Sequence, residues 1–262
     1  MIDVLILTSS DYGVAAHHLP YLLKESSIRV KAVIVSEGVL LKKQNFYKNK
    51  LKKALKIGIF GTFNGFRMRK WYNENVELLH QSTALETQCL EHSIPFFRVK
   101  STNSEATQQL FKEANVSVGI SLGNGFISKR VFSIPKFGMI NIHHEELPAY
   151  QNAQSIIWQI YNKSKETGFT IHKIDAKIDT GEVLYLEKVP IYFAENLEQT
   201  VSKTLVHLQN ASAKGLVTVL TNFENFYANA KQQGEGKHYT TPSLMQFWKI
   251  YSNYLKMKKN NA

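Results

Sequence analysis

An amide, an imidazole and a carboxylate stand in the order Asn141, His143 and Asp179, with one residue between the first two and Asp179 36 positions after His143. The segment Gly138-Met-Ile-Asn141-Ile-His143 alternates apolar and polar residues, the period of a strand. Asn141 and His143 therefore share one face and Ile142 takes the other. Glu145, Glu146 and Pro148 then mark a turn, which puts the pair at a strand's C-terminal end, where open α/β sheets bind ligands. The three groups together suit acyl transfer to an amine. That reaction passes through a tetrahedral oxyanion and needs donors aimed at its oxygen, which Asn141 and a protonated His143 supply. The attacking amine must also lose a proton, and Asp179 can take it directly or through water.

Other chemistries fit these residues less well. His143-His144-Glu145 contains ligand-type side chains, but neighbours on a strand face opposite ways and no second cluster has ligand spacing. No metal site is expected. Asp179-Thr180-Gly181 also occurs in aspartic proteases, whose chemistry needs a second such carboxylate, and the sequence has none. His172, His207 and His238 lack comparable company and read as ordinary core or surface histidines.

Positioning such a site takes strands alternating with helices. Strands are predicted over 2–8, 30–36, 94–99, 116–121, 139–143, 169–174 and 183–189, and helices over 14–25, 75–92, 105–114 and 153–162. This alternation predicts an α/β fold with a doubly wound, mostly parallel sheet. From about residue 196 the chain reads as helical through 226, loops at Gly234-Glu-Gly236, and ends in a Lys-rich, helix-like tail. A chain of 262 residues, 44% of them hydrophobic, can bury one sizeable core plus a small appendage. The single cysteine, Cys89, excludes an intramolecular disulfide and reads as a packing residue on a helix. The opening residues 1–8 read as a buried strand rather than a signal peptide, and no apolar run nears the ~20 residues of a membrane span. A cytoplasmic protein is expected.

Charge is concentrated. Residues 39–73 hold ten Lys and Arg and no Asp or Glu, so without them the formal net charge falls from +11 to +1. Tyr47, Leu51, Leu55 and Ile59 recur every four residues, which predicts an amphipathic basic helix that Gly58, Gly61 and Gly65 then break. The segment 38–73 reads as an insertion. Either its apolar stripe packs on the domain, or its charge meets an anionic membrane surface or a phosphate. Ser9-Ser10-Asp11-Tyr12-Gly13 opens a helix, and either holds a phosphate on backbone N–H groups or caps the helix.

The Asn-x-His pair, Leu147-Pro148-Ala149-Tyr150 and Ile178-Asp179-Thr180-Gly181 resemble the formyltransferases that move a one-carbon unit from 10-formyltetrahydrofolate to an amine. The resemblance runs from Met1 to about Val189, with an echo at His238-Tyr-Thr-Thr-Pro242. It implies a Rossmann-like core over 1–190, a short, mainly helical region over 191–262 that serves dimerisation, and catalysis by Asn141, His143 and Asp179. It also implies that the folate lies between Gly125-Phe126-Ile127 and Asp175-Ala176-Lys177-Ile178. The Gly123-Asn-Gly125 turn and apolar Phe126 and Ile127 suit a flat pteridine, though ordinary core packing would use the same two side chains. The acceptor's side is expected to be built from His144, Glu145, Tyr150, Gln154 and Trp158, with Ser9 and Ser10 for a phosphate.

Departures from the pattern choose among members. Gln151-Asn152 stands where members acting on initiator tRNA carry Arg-Gly, and only 73 residues follow Val189 where those enzymes append a β-rich domain. No Pro-Ser follows His143, as it would in enzymes acting on glycinamide ribonucleotide. What remains is similar to bacterial nucleotide-sugar N-formyltransferases of O-antigen and lipopolysaccharide biosynthesis. The expected acceptor is then a nucleotide-linked amino dideoxy sugar, dTDP-4-amino-4,6-dideoxyglucose favoured. The expected setting is a homodimer at the inner face of the membrane, touching it through 39–73, with no nucleic acid partner. The alternatives are a methionyl-tRNA formyltransferase-like enzyme, a formyltetrahydrofolate hydrolase and, last, a non-catalytic binding protein on this fold.

Overall fold

Seven strands form one sheet: β1 (Ile2–Thr8), β2 (Ile28–Ser36), β3 (Phe96–Val99), β4 (Val118–Leu122), β5 (Met139–His143), β6 (Glu166–Lys173) and β7 (Val183–Pro190). The computed structural model describes residues 1–37, 58, 60–151 and 154–260. Strand order is β3-β2-β1-β4-β5-β6-β7. The first five strands pair in parallel, whereas β6 runs antiparallel to both β5 and β7. The order reverses between β1 and β4, and there the C-terminal ends of β1, β4 and β5 open a crevice of the kind that binds ligands.

Alternation along the strands sorts the core into two layers. Val4 and Ile6 of β1 pack into the larger one with Ile120, Ile140 and Ile142. Leu5 and Leu7 face the other, with Ile34, Phe111 and Met139. The layers are covered by α1 (Val14–Leu23), α2 (60–72), α3 (Glu74–His80), α4 (Leu85–Glu91), α5 (Glu105–Ala114), α6 (Lys129–Phe132) and α7 (Ile157–Tyr161), then α8 (Leu197–Thr221), α9 (Phe223–Ala228) and α10 (Leu244–Lys259). The α/β fold with its mainly helical C-terminal region is as the sequence implies.

Three elements differ from their sequence expectation. The helix expected over 75–92 is two, because Gln81 takes the left-handed φ of 52° and ends the first. The helix expected over 153–162 begins only at Ile157. Gly61 and Gly65 do not break the basic segment; α2 runs through both. Two glycines in a helix interior cost about 1 kcal/mol each, but buried Met68 and Trp71 anchor α2 to the core. A Cβ on Gly65 would stand 3.3 Å from Thr241, so the small residue permits close packing. The amphipathic stripe read at Tyr47, Leu51, Leu55 and Ile59 lies outside the described residues.

Candidate active site

Asn141 and His143 lie on one face of β5, and Ile142 between them is buried in the core. Pairing of β5 with β6 sets Asn141 opposite His172 and His143 opposite Thr170. His172 Nδ1 is 2.8 Å from the Lys173 carbonyl, which can only accept, so that nitrogen carries the proton. Its bare Nε2 then takes a hydrogen from the Asn141 amide nitrogen at 3.2 Å. The orientation of the Asn141 amide is thereby fixed, and its second N–H is left to point elsewhere. His172, read from sequence as an ordinary histidine, is 3% exposed and forms the floor of this site.

The third group arrives on the loop after β6. Asp179 adopts φ 56°, a left-handed conformation that aspartate tolerates better than most residues. Thr180 Oγ1 donates to the Asp175 carboxylate at 2.8 Å and closes the loop. Gly181 is required by space, because a Cβ there would sit 1.8 Å from the Lys173 carbonyl oxygen. The Gln151 amide donates to the Asp179 carbonyl at 3.4 Å. The Asp179 carboxylate is thus held 3.8 Å from His143 Nδ1 and 3.8 Å from His172 Nε2. His143 Nε2 donates to the Tyr150 carbonyl at 3.4 Å, which leaves Nδ1 bare and facing Asp179. Burial lowers the pKa of both imidazoles, although the Asp179 charge pulls the other way. Both are neutral near pH 7.

These groups border a cavity of about 660 Å³. On one side it is lined by Gly123, Asn124, Gly125, Phe126, Ile127, Ile174, Asp175, Lys177 and Ile178. The 123–127 loop is tied down: Asn124 donates to the Leu7 carbonyl, and the Asn103 amide donates to the Phe126 carbonyl at 2.9 Å. Ile127 is buried in the core, whereas Phe126 is 47% exposed at the cavity's edge. Asn124 Oδ1 is buried with no hydrogen-bond partner among the described residues. An exposed ring beside an orphaned acceptor fits a flat heterocycle with N–H groups on its rim, as the pteridine of a folate has.

The rest of the lining includes His144, Glu145, Gln154 and Ser155, with Arg69 and Tyr72 of α2 and Asn73 just after it. Tyr72 donates to the Ser155 carbonyl and Ser155 donates to the His144 carbonyl, fastening α2 to the loop after β5. Glu145 is enclosed, accepts from Gln159, and has its carboxyl pushed well up by burial. Sequence reasoning missed α2, because its charge drew attention before its place did.

Several expected residues stand elsewhere. Tyr150 and Trp158 do not line the cavity; both pack on Tyr239, with ring centroids 5.4 and 4.8 Å away, and Trp158 donates to the Thr240 carbonyl. Their aromatic area secures the 238–241 segment instead. Ser9 and Ser10 are exposed and outside the lining, with Ser9 donating to the Gly123 carbonyl and Ser10 accepting from the Tyr12 N–H. Ala176 belongs to the loop but not to the lining. Among the described residues, no group of three or more His, Cys, Asp or Glu is placed to hold a metal ion, and no helix is long and apolar enough to cross a membrane.

Residues 64–220 match the sequence model of a family described as formyl transferase. A methionyl-tRNA formyltransferase of Ehrlichia ruminantium (strain Welgevonden) is 33% identical over 152 residues, 58% of this chain and 49% of that protein. One from Bacteroides fragilis is 30% identical over 128 residues, 49% of this chain and 39% of that protein. The chain thus spans half or less of the length of these curated relatives. Among solved structures, a sugar N-formyltransferase from Shewanella sp. superposes with a TM-score of 0.57 at 16% identity, covering 98% of this chain and 88% of that one. The N-formyltransferase of Helicobacter canadensis, in complex with folinic acid and dTDP-3-aminofucose, gives 0.56 at 16% identity over 98% and 81%. At such identities the likeness is one of fold.

Proposed function

Because the chain belongs to the formyl transferase family, we propose that it moves a formyl group from 10-formyltetrahydrofolate to the amino group of a nucleotide-linked amino dideoxy sugar, dTDP-4-amino-4,6-dideoxyglucose favoured. The observation that carries this reading is the single cavity joining the Asn141–His143–Asp179 centre to two unlike walls. Its volume is that of a small-molecule site. One wall offers Phe126 and the orphaned Asn124 oxygen to the folate, held between Gly125–Ile127 and Asp175–Ile178. The other offers Arg69, one helical turn before Tyr72 on the same face of α2, as a cation for a diphosphate. His144, Glu145 and Gln154 complete the acceptor's side.

The residues divide the chemistry. The second N–H of the Asn141 amide is free for the oxygen that gains charge as the amine adds to the formyl carbon. The amine's proton passes into the gap between His143 Nδ1 and the Asp179 carboxylate. The imidazolium that results stabilises the oxyanion by its charge, and Asp179 in turn stabilises the imidazolium. Collapse expels the folate nitrogen, which recovers the proton.

A second reading, formylation of initiator tRNA, draws on the tRNA-directed relatives and the basic segment 39–73. The helical region from α8 to α10 and the small cavity favour the sugar. The wider setting is part of the same proposal: a cytoplasmic enzyme of O-antigen and lipopolysaccharide synthesis, dimeric through its C-terminal region. There Met245 and Trp248 of α10 are exposed. It touches an anionic membrane face through 39–73, where exposed Phe63 and Phe66 of α2 accompany Arg67 and Lys70. Tetrahydrofolate release that depends on an added nucleotide-linked amino sugar tests the reading. Release with charged initiator tRNA alone, or with no acceptor, replaces it.

A further inference from the structure

A chain of three side chains runs from the core to the acceptor wall: His18 of α1, Ser212 of α8 and His144. His18 Nδ1 is 2.7 Å from the Val14 carbonyl, so it carries a proton. His18 is fully enclosed, and burial holds its pKa well below the usual imidazole value. It is therefore neutral, and its Nε2 has a lone pair that needs a donor. Ser212 Oγ, 3.0 Å away, is the partner. Ser212 also lies 3.0 Å from the Gln209 carbonyl, a second acceptor. The one hydroxyl hydrogen serves these two acceptors, and the oxygen is left to accept. Its remaining neighbour is His144 Nε2, 3.0 Å away, which must carry a proton to donate.

The consequence falls on the other nitrogen. Burial pushes His144 down to about 3, so the ring is neutral and has one proton, already placed on Nε2. Nδ1 is bare, and among the described residues nothing donates to it. His144 borders the cavity one residue after His143. We propose that the His18–Ser212–His144 chain locks His144 in its Nε2–H form, so that Nδ1 accepts a hydrogen bond from an N–H or O–H of the acceptor and selects acceptors that carry such a donor. His144 is then a specificity residue, and Ser212 and His18 are positioning residues. A protonated His144 would repel an ammonium and offer a donor instead, so the neutral ring suits an uncharged amine turned with one N–H toward Nδ1 and its lone pair toward the formyl carbon. The assignment of the acceptor as an amine rests on the function proposed above; the tautomer does not.

Long-range proton–nitrogen NMR of the ¹⁵N-histidine-labelled full chain tests it, with the His144 ring identified by its loss in His144→Asn. The expected spectrum has His144 protonated at Nε2 with Nδ1 bare, and needs no acceptor. Ser212→Ala should release the lock and raise the acceptor's KM about tenfold, the scale of one hydrogen bond, while the folate's KM stays unchanged. Ser212→Thr, which keeps the hydroxyl, should restore both. A proton on His144 Nδ1 in the wild type, or an unchanged tautomer and acceptor KM in Ser212→Ala, would overturn the proposal. Failure of every amino sugar to be formylated counts against the proposed function alone, since the tautomer is read without one.

Discussion

Gly181→Ala puts the geometry of the site to a quantitative test. The new Cβ would lie 1.8 Å from the Lys173 carbonyl oxygen and 2.7 Å from its carbon. Real Cβ contacts below 3.0 Å essentially do not occur, so the two backbones must part by at least about 1.2 Å. Neither atom is a side-chain tip that can swing away. The end of β6 is pinned to the sheet, because Lys173 pairs with Ile140 of β5 and the Ile174 N–H donates to the Met139 carbonyl at 2.8 Å. The freer partner is the loop carrying Asp179 two residues earlier. A misplacement of about 1 Å at a catalytic group costs on the order of 100-fold in rate. The forced separation should also lower stability by about 1–3 kcal/mol, which in a chain of this size is about 2–10 °C in Tm. Initial rates of tetrahydrofolate release and a thermal melt of the same preparation read the two effects. Wild-type kcat with an unchanged Tm would refute the claim that this contact sets the position of Asp179.

Other consequences follow from the same arrangement. Asn141→Ala should lower kcat by about 100-fold or more, the scale for one oxyanion donor, and His172→Phe should approach it by freeing the Asn141 amide; near-normal turnover in either removes that role. Arg69→Ala should raise the KM for a nucleotide-linked acceptor about tenfold or more and leave that for the folate alone, measured by initial rates; equal effects on both would place Arg69 outside the acceptor's wall. Stability should depend on the buried histidines with a definite sign. His144 and His17 titrate near 3 and 4 when folded and near ~6.5 when unfolded. The unfolded chain therefore takes protons first, and stability is lost as pH falls below about 6.5. Glu145, raised by burial, acts in the opposite direction, so the comparison is best made against His144→Asn. Urea midpoints at pH 7 and 5 should show the variant losing about 1–2 kcal/mol less than wild type; identical losses would contradict a neutral His144.

What the sequence disclosed and what it hid divide along a physical line. Asn141 and His143 were legible because strand period 2 is local, and Asp179 because its loop announces itself as Asp-Thr-Gly. The parallel sheet followed from the alternation of elements. His172 was hidden because its meeting with Asn141 is a matter of register between β5 and β6, which no local pattern prints. α2 was misread at Gly61 and Gly65 because helix propensity is weak beside the burial of Met68 and Trp71 and the contact with Thr241. Tyr150 and Trp158 carry side chains that suit a binding wall equally well, and only the return of Tyr239 from 89 residues after Tyr150 shows that both pack against it instead. The lock on His144 joins α1 and α8, nearly 200 positions apart, and lies beyond any reading of neighbours.

Transfer of a formyl group to an amino sugar by the Asn141–His143–Asp179 centre, as proposed, is decided by incubating the protein with 10-formyltetrahydrofolate and dTDP-4-amino-4,6-dideoxyglucose. The mass and proton spectrum of the sugar are then taken, with Asp179→Asn run beside it. The expected product is a formamide on the sugar nitrogen, formed together with an equal amount of tetrahydrofolate, and almost none from the variant. An unmodified sugar in the presence of a folded protein that formylates another acceptor, or equal product from Asp179→Asn, would contradict it.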